Sequence, residues 1–270
     1  MVQIWEPSVN ARTHLYISPH LDDAILSCGG RIWQQAQAGE RVLVVTIFAG
    51  APAPDAPLSP FAQEMHARWR LADAVAARRE EDAAALTRLG AEGVYWPYVD
   101  CIYRRAPDGR FLCASEQALF GKVHPAESAL IAELADRLRA LVWKQGGTIY
   151  APLAVGCHVD HQVVRRAVEG LAGVVYYEDY PYAARPGMLT VALGAGRWQA
   201  ELVSLSQEAL EAKIAAIACY GSQFSSLDWA DAAEMAAAVR AFAQQTGGDG
   251  LAERYWRRIE DKSRMARTNE

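Results

Sequence analysis

Arg41-Val42-Leu43-Val44-Val45-Thr46-Ile47-Phe48 is an unbroken apolar run dominated by β-branched residues. Without polar alternation, such a run suits a parallel strand covered on both faces. Upstream, Ile25 to Gly39 has helical composition and ends in a glycine stop, and Thr13-His14-Leu15-Tyr16-Ile17-Ser18 reads as a short strand. Strand, helix and strand in that order make a parallel unit with a right-handed crossover. Downstream, Gly50 to Pro60 carries Pro52, Pro54, Pro57 and Pro60, which fit neither a helix interior nor a central strand, so this stretch is a loop.

The alternation continues. Phe61 to Leu89 is rich in Ala, Glu and Arg and closes at Gly90, which predicts a long helix or a broken pair, with a short strand near Val94-Tyr95-Trp96. Asp100 to Val123 is irregular. A helix from about Ala126 to Lys144 stops at Gly146-Gly147 and leads into the strand Thr148-Ile149-Tyr150-Ala151; a helix from Asp160 to about Leu171 leads into Val174-Val175-Tyr176-Tyr177. Beyond these the sequence predicts a strand at Leu189 to Leu193, helices from Ser206 to Cys219 and Trp229 to Gln245, and a frayed polar tail at 262–270. The pattern is that of one α/β domain over residues 1–270: a Rossmann-like, doubly wound, mostly parallel sheet in a three-layer sandwich.

With 51% hydrophobic and 22% charged residues, the chain has the material for a sizeable core. A net charge of -5 offers no broad basic face for a phosphate backbone, so nucleic acid is not an expected partner. No stretch approaches the roughly 20 apolar residues of a membrane-spanning helix. The opening Met1-Val2-Gln3-Ile4-Trp5-Glu6-Pro7 lacks the basic and apolar regions of a secretory signal, and Cys28, Cys101, Cys113, Cys157 and Cys219 form no CxxC pair. A cytoplasmic protein with reduced thiols is expected, and a homo-oligomer is left open.

In open parallel sheets, ligands bind beyond the carboxyl ends of the strands. Two clusters of metal-capable residues stand at such ends: Pro19-His20-Leu21-Asp22-Asp23 after the first strand, and His158-Val159-Asp160-His161 after the strand ending near Ala151. Adjacent Asp22 and Asp23 point apart, so one can hold a cation while the other reaches a bound water. With His20 and one histidine of the second cluster, this makes a two-histidine, one-aspartate set with an open position, the pattern of a catalytic zinc site. His158 and His161, three apart at a helix start, share a face, and spacing does not say which binds metal. Residue by residue there is a plainer reading, in which Asp22 and Asp23 cap the following helix and the histidines are solvated. Three of the chain's 6 histidines gathered in two acid-rich clusters at strand ends favour the metal site.

Ser18-Pro19-His20-Leu21-Asp22-Asp23-Ala24, paired with His158-Val159-Asp160-His161, resembles the double signature of the PIG-L/LmbE-like N-acetylglucosamine deacetylases, written PHPDDE and HPDH. Arg78-Arg79-Glu80-Glu81-Asp82 through Leu89-Gly90 is similar to the family's R-x-x-E helix ending in LG, and Lys213 through Tyr220-Gly221-Ser222-Gln223 to its K…Y-x-S-Q segment. The resemblance implies a metal-dependent hydrolase that removes an N-acetyl group from an amino sugar or glycoconjugate. It implies that His20, Asp23 and His161 bind Zn2+, with Fe2+, Co2+ or Mn2+ also admitted, that Asp22 is the general base, and that His158 stabilises the oxyanion or protonates the departing amine. Leu21 stands in place of the family's proline and Ala24 in place of its glutamate; neither position is an expected ligand, while the contact made by that glutamate is left open.

Arg78 and Glu81 are expected either to orient the site or to form a solvated ion pair on their helix. Candidate walls of a sugar subsite are Glu178, Asp179 and Tyr182 after the strand at 174–177, and Asp100, Tyr103 and Arg104 in the irregular stretch. Ser27-Cys28-Gly29-Gly30 lacks the spacing of a phosphate-binding loop, and no G-x-S-x-G elbow makes Ser27 a nucleophile. Two rival readings stand beside the deacetylase. His20, Asp22 and a distant histidine also spell the triad of a non-haem Fe(II) oxygenase, against which the alternating β/α pattern counts by analogy. A non-catalytic metal- or sugar-binding protein is the other, and the intact Asp22 counts against it.

Overall fold

The structure is a computed structural model that describes residues 12–69 and 74–259. The tail expected to fray, 262–270, lies outside the described residues. β1 (Thr13–Ser18) and β2 (Arg41–Thr46) pair in parallel, with α1 (Asp23–Gln37) crossing between them. β3 (Glu92–Tyr95) joins beside β2, after α2 (Pro60–Trp69) and α3 (Ala74–Leu89). The chain then passes through α4 (Glu116–Leu119) and α5 (Ser128–Gln145) to the other side of β1. There β4 (Thr148–Pro152) and β5 (Val175–Tyr177) follow in parallel, linked by α6 (Val159–Val168). The strand order β3-β2-β1-β4-β5 reverses direction between β1 and β4, and the crevice beyond their carboxyl ends is where doubly wound sheets take ligands. Gly147 permits the tight entry to β4: its φ is +89°, and a Cβ there would lie 2.0 Å from the Thr13 carbonyl oxygen.

Alternate strand residues face opposite cores. Tyr16, Val42, Val44 and Tyr150 pack with Ile25, Leu26, Leu86 and Leu210 on one face, whereas Leu15, Ile17, Leu43 and Val45 pack with Leu134, Leu138, Val163 and Val164 on the other. β1 and β2 are therefore buried on both sides, and three layers result. A third, smaller apolar cluster joins Phe61 and Trp69 of α2 to Cys101, Ile102, Cys113 and Leu119 beside the crevice.

The stretch from Phe61 to Leu89 is the broken pair, α2 and α3, and Pro60 sits at the first helical position, where its missing N–H is not needed. Leu189 to Leu193 is not a strand. It belongs to α7 (Met188–Leu193), held between Gly187 and Gly194, with Ala192 buried and Val191 60% exposed. A run this short and apolar carries no periodicity that separates helix from strand. Two further strands were not foreseen. β6 (Trp198–Ser204) and β7 (Ala252–Arg258), separated by α8 (Gln207–Ile217) and α9 (Ala232–Gly247), extend the sheet antiparallel in the order β5-β7-β6. β7 reads as polar because its charges are satisfied by distant residues, Glu253 by Lys213 at 2.8 Å and Arg254 by Glu178 at 2.5 Å. No described helix is long and apolar enough to cross a membrane.

Candidate active site

Beyond β1 the chain turns over the crevice into α1. Ser18 Oγ donates to the His20 carbonyl at 2.7 Å and accepts from the Ala24 N–H at 3.0 Å, which closes the turn. Asp22 holds the N-cap position of α1 at φ 130°, a conformation that costs an L-residue about 1–3 kcal/mol. Its carbonyl accepts from the Ile25 and Leu26 N–H groups, yet its side chain makes no capping bond, so the capping role does not account for its carboxylate. The turn sends the two adjacent carboxylates to different partners: Asp23 Oδ2 accepts from the His20 N–H at 2.8 Å, and Asp22 Oδ2 lies 3.6 Å from Arg78 Nη2.

The second cluster opens α6. His158 is its N-cap, with Nδ1 accepting from the Asp160 N–H at 3.2 Å. An uncharged imidazole that accepts at Nδ1 carries its hydrogen at Nε2. The histidines are buried, which removes the solvated reading.

Two ring nitrogens meet at one oxygen. His20 Nδ1 lies 3.1 Å and His161 Nε2 3.3 Å from Asp23 Oδ2. The far nitrogens are held from behind by carboxylates, His20 Nε2 by Asp160 Oδ2 at 3.0 Å and His161 Nδ1 by Asp179 Oδ1 at 2.6 Å. A carboxylate behind each histidine, with the other nitrogen turned to a common point, is how proteins orient metal ligands. Ligand atoms on a tetrahedral ion with bonds of about 2.0–2.2 Å lie roughly 3.3–3.6 Å apart, and each of these two nitrogens stands close to that spacing from Asp23 Oδ2. A nitrogen of His158 comes within 4.8 Å of nitrogens of the other two.

Burial disfavours charge on all these groups, and their mutual fields decide which keep it. Burial lowers His20, but Asp160, Asp23 and Asp100 outweigh it and hold the imidazole well above its ordinary range. Burial likewise opposes His161, which Asp23 and Asp179 lift to about 10. Asp23 is raised by burial and pulled far below the usual carboxylate range by His161 and His20. His158 goes the other way, pushed well down by burial and by the like charges of His20 and His161. Asp22 is raised to about 7 by burial and by Asp23, against Arg78. Histidines and a carboxylate that compete this strongly for protons compete for a divalent cation with the same atoms. Beside them stand a neutral Nε2–H donor and a carboxylate poised near neutrality, the arrangement expected of a reacting site.

α3 presents Arg78, Glu81 and Asp82 at i, i+3 and i+4, on one face. Arg78 Nη2 donates to the Leu21 carbonyl at 3.1 Å, with its guanidinium over the Trp69 ring. Glu81 accepts from the Ser222 N–H at 2.9 Å, and Asp82 from the hydroxyls of Tyr95 and Tyr220 at 2.9 and 2.6 Å. Each side chain serves a different partner, so a solvated Arg78–Glu81 pair does not describe them.

A cavity of about 230 Å³ opens beside these groups. Among the expected wall residues, Arg78, Asp100 and Tyr182 line it, with Phe61, Trp69, Leu119 and Phe120 forming an apolar side. Arg104, Glu178 and Asp179 do not line this cavity, and each is engaged within the protein. Arg104 binds Asp160 at 2.5 Å and Glu127 at 3.1 Å, Glu178 accepts from Arg254 at 2.5 Å and Trp256 at 2.8 Å, and Asp179 holds His161 and the Val155 N–H. Buried charges require such fixed partners. Tyr103 accompanies Arg78 and Asp100 around a smaller neighbouring cleft, and its hydroxyl lies 2.6 Å from His66 Nε2. Leu21 and Ala24 are 3% and 0% exposed, and neither lines the main cavity. Asp160 went unassigned in the sequence, although its place between two metal-type histidines was a signal, and Gln223 of the Y-x-S-Q segment also reaches the cavity.

Fold and site together define a doubly wound α/β protein with a candidate histidine–aspartate cation site at the switch point of its sheet. Residues 15–172 match the family described as PIG-L, GlcNAc-PI de-N-acetylase, and the chain belongs to that family. The 2'-N-acetylparomamine deacetylase of Streptomyces fradiae is 29% identical over 221 residues, covering 77% of this chain and 72% of that protein. Among solved structures, the zinc-inhibited form of teicoplanin deacetylase is 35% identical with a TM-score of 0.82, covering 93% of this chain and 100% of that one. The deacetylase of the antimicrobial A40926 pseudoaglycone is 32% identical with a TM-score of 0.74, covering 92% of this chain and 97% of that one. These relatives are deacetylases, and the oxygenase alternative finds no support among them.

Proposed function

We propose that this chain is a divalent-metal-dependent deacetylase that removes the acetyl group from the nitrogen of an N-acetylglucosamine-type amino sugar or its glycoconjugate. One observation carries the reading: two histidines, each held from behind by a carboxylate, converge on Asp23 Oδ2 beside the separate, cavity-facing carboxylate of Asp22. His20 Nδ1, Asp23 Oδ2 and His161 Nε2 would hold the ion, and this nitrogen–oxygen donor set suits zinc while admitting iron, cobalt or manganese. When bound, such an ion polarises the acyl oxygen and lowers the pKa of a coordinated water to about 7.

The chain's own residues supply the rest. Asp22 takes a proton from the attacking water, and Arg78 at 3.6 Å favours its ionised form. As the carbonyl carbon becomes tetrahedral its oxygen gathers negative charge, to which the His158 Nε2–H donates. The carbon–nitrogen bond then breaks, the proton passes to the departing nitrogen, and acetate and a free amine leave. Arg78 and Asp100, which line the cavity, would take sugar hydroxyls, with the Tyr182 ring beside them. The free thiols fit the reducing cytoplasm.

The test is amine release from a panel of N-acetylglucosamine derivatives, using protein stripped of metal and reloaded with zinc or iron. Release restored by the ion is expected. Stoichiometric metal binding with no release from any member would overturn the reading in favour of a binding protein.

A further inference from the structure

We infer that the side-chain carbonyl of Gln223 is a fixed hydrogen-bond acceptor in the cavity wall, that Glu81 sets its direction through Ser222, and that it selects a free hydroxyl on the substrate sugar. The identity of the ligand rests on the deacetylase reading; the relay rests on the structure alone.

Glu81 accepts from the Ser222 N–H at 2.9 Å with Oε1 and from the Ser222 hydroxyl at 2.5 Å with Oε2. A carboxylate has no hydrogen to give, so the Ser222 hydroxyl must point its proton at Glu81. The serine oxygen is then left with lone pairs only. Gln223 Nε2 lies 2.9 Å from that oxygen, and only the NH2 end of an amide can donate to it. The two ends of a glutamine amide differ little in shape and are told apart by their network. Here the network leaves one choice, with the nitrogen on Ser222 and the oxygen turned away.

Gln223 is 4% exposed and lines the cavity together with Asp22, Arg78 and Asp100. Its backbone N–H donates to the Tyr220 carbonyl at 3.0 Å, and Tyr220 in turn donates its hydroxyl to Asp82 at 2.6 Å. Glu81 and Asp82 are neighbours on α3, so one helix pins both ends of the short Tyr220–Gln223 segment. An amide oxygen held in this way accepts from a hydroxyl and gives nothing to an ether oxygen or a deoxy carbon. Glu81 touches no substrate in this scheme and is a positioning residue.

Glu81→Gln tests the relay with little change of shape. In the variant, the oxygen of the new amide still accepts from the Ser222 N–H, while its nitrogen now donates to the Ser222 oxygen. The serine proton turns to Gln223, whose amide flips and presents NH2 to the cavity. The expected loss in kcat/KM is roughly 10–100-fold, carried by KM, with kcat near wild type and the melting temperature unchanged. Against a panel of singly deoxygenated N-acetylglucosamines, wild type should lose a similar factor at one ring position, and that loss should not add to the loss from Glu81→Gln. Unchanged kcat/KM in the variant, or losses that add at every position, would overturn the relay. Ser222→Ala is the second variant, expected to weaken the same discrimination by freeing the amide. Calorimetric binding of the parent and deoxy sugars separates the two readings: binding without turnover leaves the relay testable by affinity while the deacetylase falls, and no binding of any sugar overturns both.

Discussion

The two sides of the cavity hold their residues by different means. On the cation side, His20, His158 and His161 are buried, and each ring is tied by a hydrogen bond, His20 to Asp160 Oδ2, His158 to the Asp160 N–H and His161 to Asp179. On the other side, Phe61, Trp69 and Leu119 are held by apolar contact within the cluster that surrounds Cys101 and Ile102. Hydrogen bonds prescribe direction and the order of donors and acceptors, whereas apolar contact prescribes shape and tolerates exchange. On the proposed reading, the reaction is built into the strand ends, and the choice of substrate into the segments inserted between strands.

The two sides should differ most sharply at Asp22. Asp22→Asn is expected to lose about 10²–10⁴-fold in kcat while keeping its metal, whereas His161→Ala should lose the metal, as read by metal content. A wild-type rate in Asp22→Asn would remove the general base from the scheme. Behind the ligands, Asp179→Asn should weaken metal binding by roughly 10–100-fold in a titration, because His161 then loses the partner that orients it. Undiminished affinity would mean that Asp179 only fills space. On the apolar side, Phe120→Ala should raise KM by no more than about tenfold and leave kcat and metal content alone. A fall in kcat as deep as that of Asp22→Asn would erase the distinction between the two sides.

An effect of another kind, on stability, is expected at α3, where the sides are joined. Burial raises Asp82 to about 6 despite the hydrogen bonds from Tyr220 and Tyr95. The folded protein therefore holds this proton more tightly than the unfolded chain, where an aspartate titrates near 3.8. Stability contributed by the protonated group is present at low pH and declines as pH rises from about 4 to about 6, the loss being complete above that window. Asp82→Asn has no such proton, so its melting temperature should gain on wild type across the window. Parallel melting curves would count against the buried ionisation.

Local signals carried much of this architecture. Thr13 to Ser18 is β1 residue for residue, Ser206 caps α8, and Gly146 closes α5. Glycine and proline stops act over a few residues, which is why the elements were legible. β6 and β7 were not, because a strand whose charges are answered by Lys213 and Glu178 shows no apolar pattern. The site divides in the same way. His20, Asp22, Asp23, His158 and His161 were legible as metal-capable residues at strand ends, whereas no local signal told that Arg104, Glu178 and Asp179 would be engaged within the protein and not line the main cavity. A loop residue's side of the chain follows no period, so its exposure had to come from packing.

By itself the sequence determined the doubly wound layers, the two clusters that meet at the switch point and the family, since hydrophobic period, chain stops and motif order are all local properties. Only the tertiary structure decided that Asp160 would hold His20 across 140 residues, that Asp22 would escape capping and face Arg78, and that Glu81 would govern Gln223 through Ser222. Those relations belong to the folded chain because each depends on which donor and which acceptor are brought within about 3 Å of one another, away from competing water.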